Sequence, residues 1–142
     1  MQASAVAICG RALLIEGPPG SGKSSLALAL IDRGAALIGD DGVTVSRGTR
    51  GALIAAPPPN IAGLIELRGI GIVRQEPAPP TPAALILTLP SPGDPVPERL
   101  PDAPVRRTLL GCGIPVLAFD PGAIAPAVRA EWALRLHGLD PR

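Results

Sequence analysis

Residues 17–24, Gly17-Pro18-Pro19-Gly20-Ser21-Gly22-Lys23-Ser24, match the pattern G-x-x-x-x-G-K-[ST] at every fixed position. The chemistry of that spacing is phosphate binding. Small residues let successive backbone N–H groups turn inward and form a nest for phosphate oxygens. A helix leaving the loop points its positive end at the same anion. Lys23 brings a mobile charge to the β and γ phosphates, and the Ser24 hydroxyl can coordinate Mg²⁺. The cradle then comprises Gly17, Pro18, Pro19, Gly20, Ser21, Gly22, Lys23, Ser24 and the adjoining Ser25, and its expected ligand is ATP with Mg²⁺. The bland alternative is a chance loop in a chain rich in glycine and proline. The flanks argue against it, because an apolar strand enters the loop and a helix-forming stretch leaves it.

Moving a phosphoryl group, rather than only holding it, needs a carboxylate opposite the terminal phosphate. Asp40-Asp41 follow a short apolar run, where a magnesium-associated or base carboxylate would stand. Two adjacent acids repel each other, an arrangement that suits a general base. The alternative is a pair of solvated turn residues before Gly42, and position alone does not separate the two. Glu66 and Arg68, in the block IELRGIGI, form a second constellation. Side chains two apart on an extended segment share a face. They are either an ordinary surface ion pair, worth little, or the lining of a phosphate site, with Glu66 on the metal and Arg68 on the transferred charge. Gly69 and Gly71 favour close backbone approach to a ligand. His137, the only histidine, reads as a polar residue at a helix C-terminus. Arg106-Arg107 read as a solvated turn and Trp132 as core.

These groups need a scaffold. Ala5–Cys9 and Ala12–Glu16 read as a hairpin around Gly10-Arg11. A helix from Ser24 stops at Gly34. Ala36–Ile38 reads as a buried strand, and Val43–Ser46 with Leu53–Ala56 as a second hairpin. Ile61–Leu67 reads as a helical turn or a loop, running on into an apolar stretch that ends at Val73. Between Pro77 and Pro104, Ala84–Leu89 reads as a strand and the rest as extended surface chain. Pro115–Phe119 is a further strand. A last helix starts near Pro126, with Val128, Trp132, Leu136 and Leu139 as its apolar stripe. With two convincing helices, a sheet covered by helices on both faces is hard to build.

Composition sets the outer bounds. A chain of 142 residues fits one domain spanning 1–142 with its own core. A net charge of +1 excludes strong nucleic-acid binding by bulk charge. One Trp, one Phe and no Tyr leave no base-stacking platform, so the core must use Ala, Leu, Ile and Val. Two cysteines, Cys9 and Cys112, are too few for a disulfide framework or a four-thiolate zinc site. The first residues have no basic n-region and no apolar run approaches bilayer length, so a cytoplasmic protein without membrane contact is expected.

Three blocks in order, LIEGPPGSGKSSLALALIDRG, ALIGDDGV and LIELRGIGIV, together resemble the catalytic domain of HPr kinase/phosphorylase, in a short form without the N-terminal domain. The segment LLGCGIPVLAFDPG resembles a later strand region of that family more weakly. The resemblance implies an ATP-dependent protein-serine kinase built on a P-loop. Its partner would be HPr, the phosphocarrier of the sugar phosphotransferase system, or an HPr-like paralogue. It implies that Lys23 holds the nucleotide phosphates and that Ser24 and Glu66 hold Mg²⁺. It also implies that Asp41 accepts the serine proton beside Asp40, and that Arg68 belongs to the block around the transferred phosphate. Members are commonly hexameric, so a homo-oligomer is expected. Four departures stand out. Gln2 occupies the place of a usual His and cannot carry charge. Ser25 replaces an acid. Asp120 and Ala123 flank Pro121-Gly122 where the family has arginines. Another expected arginine has no convincing match, Arg106 and Arg107 being the candidates. These departures favour kinase over phosphorylase activity.

The fold expected is α/β: a P-loop-containing mixed sheet with antiparallel hairpins, one helix after the loop and a C-terminal helix. Two rival functions remain on the residues alone. One is a catalytically degenerate nucleotide-binding regulatory module. The other is a small-molecule P-loop kinase, for which no lid segment with an arginine cluster is apparent.

Overall fold

The computed structural model describes residues 1–91, 93–94 and 104–140. Ser4–Ile8 (β1) and Arg11–Glu16 (β2) form an antiparallel hairpin in the register Ser4↔Ile15 to Ile8↔Arg11. The turn residues are Cys9 and Gly10, both left-handed with φ of 50° and 78°, one position earlier than Gly10-Arg11. Such a mirror-image turn matches the twist of the strands it joins. Then follow Lys23–Asp32 (α1), Ala36–Gly39 (β3), Thr44–Arg47 (β4), Leu53–Ala56 (β5), Leu64–Leu67 (β6), Gly71–Arg74 (β7) and Thr81–Thr88 (β8). Val105–Leu109 (β9), Cys112–Ala118 (β10) and Pro126–His137 (α2) complete the elements.

The main sheet runs β3-β1-β2-β8-β10-β9, with the β4–β5 hairpin attached through β5 to the start of β8. The β2/β8 and β8/β10 pairs are parallel, and the others are antiparallel. The sheet is therefore mixed, as expected. Because β1 is antiparallel to both neighbours, β3 points the same way as β2. The C-terminal ends of β3, β2, β8 and β10 thus share one edge, the edge at which open α/β sheets bind ligands. Leu89 N–H bonds to Glu16 O at 2.8 Å and Phe119 N–H to Thr88 O at 2.9 Å, tying the parallel ends together.

Alternation along the strands sorts the core into two layers. Val6, Leu13, Ile15, Leu85 and Leu87 lie in the layer with α1 and α2, while Ala5, Ala12, Leu14 and Ile86 lie in a second layer with Leu53 and Ala55 of β5. Both helices therefore cover one face and the β4–β5 hairpin lies over the other. Leu85 is fully buried on the helix face. Leu85→Ala is expected to cost about 2–5 kcal/mol of stability by denaturant unfolding, from lost burial and the cavity it leaves.

Several sequence expectations need correction. Leu64–Leu67 is a strand rather than a helical turn or loop, since Ile65 is buried and β7 pairs along it. Arg106-Arg107 do not form a turn. They lie in β9, paired with Pro115 and Ile114 of β10, because the outer edge of β10 is open to pairing and Leu110-Gly111 close the hairpin. The buried face of α2 is Ala127, Ala130, Ala133 and Leu134, and Trp132 stays 52% exposed with Leu136 at 67%. Small alanines let the helix approach its neighbours closely, which the larger Trp132–Leu136 stripe would prevent. The Arg135 guanidinium covers the outward indole at 4.9 Å. Residues 95–103 of the proline-rich stretch lie outside the described residues.

Candidate functional site

Two segments from the shared sheet edge meet. Gly22 is the N-cap of α1 with φ 99°, no side chain caps the helix, and its first turn holds no acid. Amide donors at that end are thus left for an external acceptor. Ser21 N–H bonds to Pro18 O at 3.1 Å and curls the loop, while the Ser21 hydroxyl is buried without a hydrogen-bond partner among the described residues. Lys23 is 9% exposed, donates to Gly17 O at 2.7 Å and stands 3.4 Å from Asp41 Oδ1. Ser24 Oγ donates to Asp40 Oδ1 at 2.6 Å. Consecutive loop residues therefore each meet one of two consecutive acids.

The acid turn is built by the strand behind it. Ala5 pairs with Gly39 and Val6 with Leu37, so the register shifts between them. Bulges of this kind re-aim side chains next to functional sites. Continuing that register brings Ser4 opposite Asp40. The Ser4 hydroxyl, fully buried, donates to Asp40 Oδ1 at 3.1 Å and accepts from Asp41 N–H at 3.3 Å. Asp41 itself adopts φ 58°, a left-handed conformation that aspartate tolerates better than most residues but that still costs about 1 kcal/mol. Val43 N–H bonds to Met1 O at 3.0 Å and closes the turn. A Cβ at Gly39 would collide with the Gly42 carbonyl. Gly39→Ala is accordingly expected to lose about 1–3 kcal/mol in thermal unfolding, through forced displacement of the acid turn.

The other sequence candidates take more peripheral places. Glu66 joins the acids through its backbone, its N–H donating to Asp40 Oδ2 at 3.3 Å, while its side chain is exposed. Arg68 lies past the end of β6 in the hairpin turn. Among the described residues no hydrogen bond or ion pair ties it to the acids, and the face shared with Glu66 ends at Leu67. Gly69 and Gly71 have open space around them and serve the turn, with φ of 79° and 140°, rather than a close approach. Ser25 is exposed in the first turn of α1, and Gln2 is exposed just before β1. Among the described residues no cluster of three His, Cys, Asp or Glu side chains forms a ready metal cage.

Three residues had no strong sequence signal. Ser4 sits in an apolar run, and only its inward strand position marks it. Glu16, the last residue before the loop, accepts from Arg107 Nη1 at 2.7 Å. This partly exposed pair links β9 to the loop and contributes at most about 1 kcal/mol. Arg129 of α2 donates to the carbonyls of Asp120, Pro121 and Ile124 and lies 5.0 Å from the Phe119 ring centroid. It shapes the loop after β10, whose Pro121 lies beside Gly22.

The family model of the HPr serine kinase C-terminal domain matches residues 1–76, which contain the loop, the acid turn and the β6–β7 hairpin. The chain belongs to that family. An HPr kinase/phosphorylase of Shouchella clausii is 43% identical over 68 residues, 48% of this chain and 22% of that protein. One from Lacticaseibacillus casei is 44% identical over 68 residues, 48% of this chain and 21% of that protein. The matches thus span about a fifth of the length of these curated relatives. The solved structure of the Hpr(Ser) kinase/phosphatase from Coxiella burnetii superposes with a TM-score of 0.79 at 28% identity, covering 95% of this chain and 93% of that one. The match to the family model lies in the first half of the chain, while the structural likeness, covering 95% of the chain, extends into the second half.

Proposed function

We propose that residues 17–24 are a working P-loop and that the protein transfers the γ-phosphoryl group of ATP to a serine hydroxyl of HPr or an HPr-like phosphocarrier. The observation that carries this reading is the pairing of Lys23 with Asp41 and of Ser24 with Asp40. It sets a cation, a hydroxyl and two carboxylates at the uncapped end of α1, where a phosphate chain would lie. The unpartnered Ser21 hydroxyl and the free amides fit phosphate oxygens. In the kinase direction Asp41 takes the serine proton. The serine oxygen then bonds to phosphorus as the bond to the β-phosphate bridging oxygen breaks and ADP leaves. Lys23 turns from Gly17 O to the phosphates.

The hard oxygen donors of Ser24 and Asp40 suit Mg²⁺, an ion held by one or two carboxylates plus substrate phosphates rather than by an all-protein cage. Ser24 and Glu66, with Asp40 beside them, would hold it. When bound it neutralises charge on the phosphates. Asp40 has a further task, bracing Ser24 against the acid turn.

The test is incubation of the protein with ATP labelled at the γ position, Mg²⁺ and HPr. Label on an HPr serine, absent with Asp41→Asn, is the expected result. Failure of ATP to bind in calorimetry with Mg²⁺ would overturn the reading. Nucleotide binding without transfer would support a regulatory module instead, a second reading favoured by Gln2 and by Asp120 and Ala123, which stand where the resemblance to the family leads one to expect arginines. With phosphoserine-HPr, Mg²⁺ and phosphate, slow release relative to the forward reaction is expected.

A further inference from the structure

We propose that Ser4 is the positioning residue of the acid pair: its hydroxyl sets the conformation in which Asp41 meets Lys23. The claim rests on the phosphotransfer reading and adds a residue to it. Ser4 is fully buried in β1 between Ala3 and Ala5, in a strand otherwise made of Ala, Val and Ile. Its neighbours on that strand belong to alternating core layers. Val6 lies in the helix-side layer, so Ser4, two residues earlier, faces the same side as α1. A methyl group would satisfy the core at such a place. A hydroxyl there must find partners, and both of its partners are in the acid turn.

The two bonds act on different parts of that turn. Donation to Asp40 Oδ1 at 3.1 Å shares an oxygen that also accepts from Ser24 Oγ at 2.6 Å, so β1, the acid turn and the loop are joined through one carboxylate oxygen. Acceptance from Asp41 N–H at 3.3 Å holds a backbone amide whose residue has φ 58°. Without that acceptor, the amide loses its partner and the turn can relax toward ordinary right-handed geometry. The Asp41 carboxylate would then swing away from Lys23, from which it now stands 3.4 Å. Asp41 is 63% exposed at its side chain, so few contacts of its own hold it there. Among the described residues the Ser4 hydroxyl has no hydrogen bond to Lys23 or to the Asp41 carboxylate; it acts through the Asp41 backbone and the Asp40 side chain. Small displacements of a reacting group are enough to cost about 10²-fold in rate.

The experiment compares the wild type with Ser4→Ala, Ser4→Cys, Asp41→Asn and the Ser4→Ala/Asp41→Asn double variant, all in the full chain. Cysteine fills the volume of serine with a much weaker hydrogen bond, which keeps the test open if the alanine variant fails to fold. Expected for Ser4→Ala and Ser4→Cys are a kcat for HPr phosphorylation lowered about tenfold or more, a KM for ATP within about threefold of wild type, and an Asp41 amide that exchanges hydrogen at least about tenfold faster. In the Asp41→Asn background, Ser4→Ala should lower kcat no further, as befits residues acting as one unit. A Ser4→Cys protein with wild-type kcat and amide exchange would assign Ser4 to volume alone and overturn the proposal, as would a full additional kcat loss in the Asp41→Asn background. If the wild type transfers no phosphate, the phosphotransfer reading falls. The Asp41 amide then decides the Ser4 claim alone: faster exchange in Ser4→Cys upholds the positioning, and unchanged exchange refutes it.

Discussion

Asp41→Asn should lower HPr phosphorylation about 10²–10⁴-fold, the range spanned by a positioned general base, while ATP binding changes little. Asp41 holds φ 58°, and asparagine tolerates the left-handed region as readily as aspartate does. The turn should therefore survive, together with the bond from residue 41 N–H to Ser4 Oγ. What disappears is the only charge that could accept the serine proton at that position, along with the attraction to Lys23 at 3.4 Å. Removing a carboxylate that faces incoming phosphates should leave ATP affinity the same or slightly tighter. Initial rates and calorimetry on the same preparation separate these effects. A variant that phosphorylates HPr at the wild-type rate would move the proton acceptor elsewhere. Asp40→Asn is expected to behave differently, because Asp40 braces Ser24 and Ser4; its loss should weaken Mg²⁺-dependent nucleotide binding as well as the rate.

Lys23→Met should damage both binding and transfer. Lys23 is nearly buried, so its aliphatic stem packs in the loop and methionine can replace that part. The ammonium donates to Gly17 O at 2.7 Å and would donate to phosphate oxygens in the complex. A hydrogen bond to a charged group contributes about 1.5–3 kcal/mol, so ATP affinity should fall about 10–100-fold. Charge that develops on the transferred phosphoryl group would lose the same donor, and the transfer rate should drop by a further factor of about 10²–10³. The fold itself should change little in melting temperature, since the partner carboxylate of Asp41 is mostly solvated and keeps water in place of the ammonium. An ATP affinity equal to wild type would show that the phosphates bind elsewhere, and the P-loop reading would fail with it.

The parts of this protein that were legible in the residues are those governed by neighbours along the chain. The Gly-rich loop, the hairpin before it and the helix after it follow from turn residues, alternation and small side chains within a few positions. Asp40-Asp41 follow a short apolar strand, where a magnesium-associated or base carboxylate would stand but solvated turn residues fit as well, and the structure brings them to Lys23 and Ser24. The same local rules misplaced what is set by distant partners. Apolar spacing on α2 pointed to Trp132, but the helix buries Ala127, Ala130, Ala133 and Leu134, because its orientation is set by packing against α1 and the sheet rather than by the spacing of its largest apolar residues. Arg106-Arg107 carry polar side chains that suit a turn, yet the unpaired edge of β10 takes them into a strand, where backbone hydrogen bonding outweighs side-chain preference.

The order of residues alone determined that a glycine-rich loop would sit between a strand and a helix, with acids one strand later. Backbone conformation at glycines and the period of buried side chains are short-range properties, and they need no knowledge of the rest of the chain. Only the folded sheet decided which acid meets which loop residue, because that depends on the register of β1 against β3, a pairing across more than thirty positions of sequence. Ser4 belongs wholly to that second category. A serine among alanines has no local signature, and its place under the acid turn arises from a one-residue shift in hydrogen-bond register that brings the start of β1 under Asp40 and Asp41.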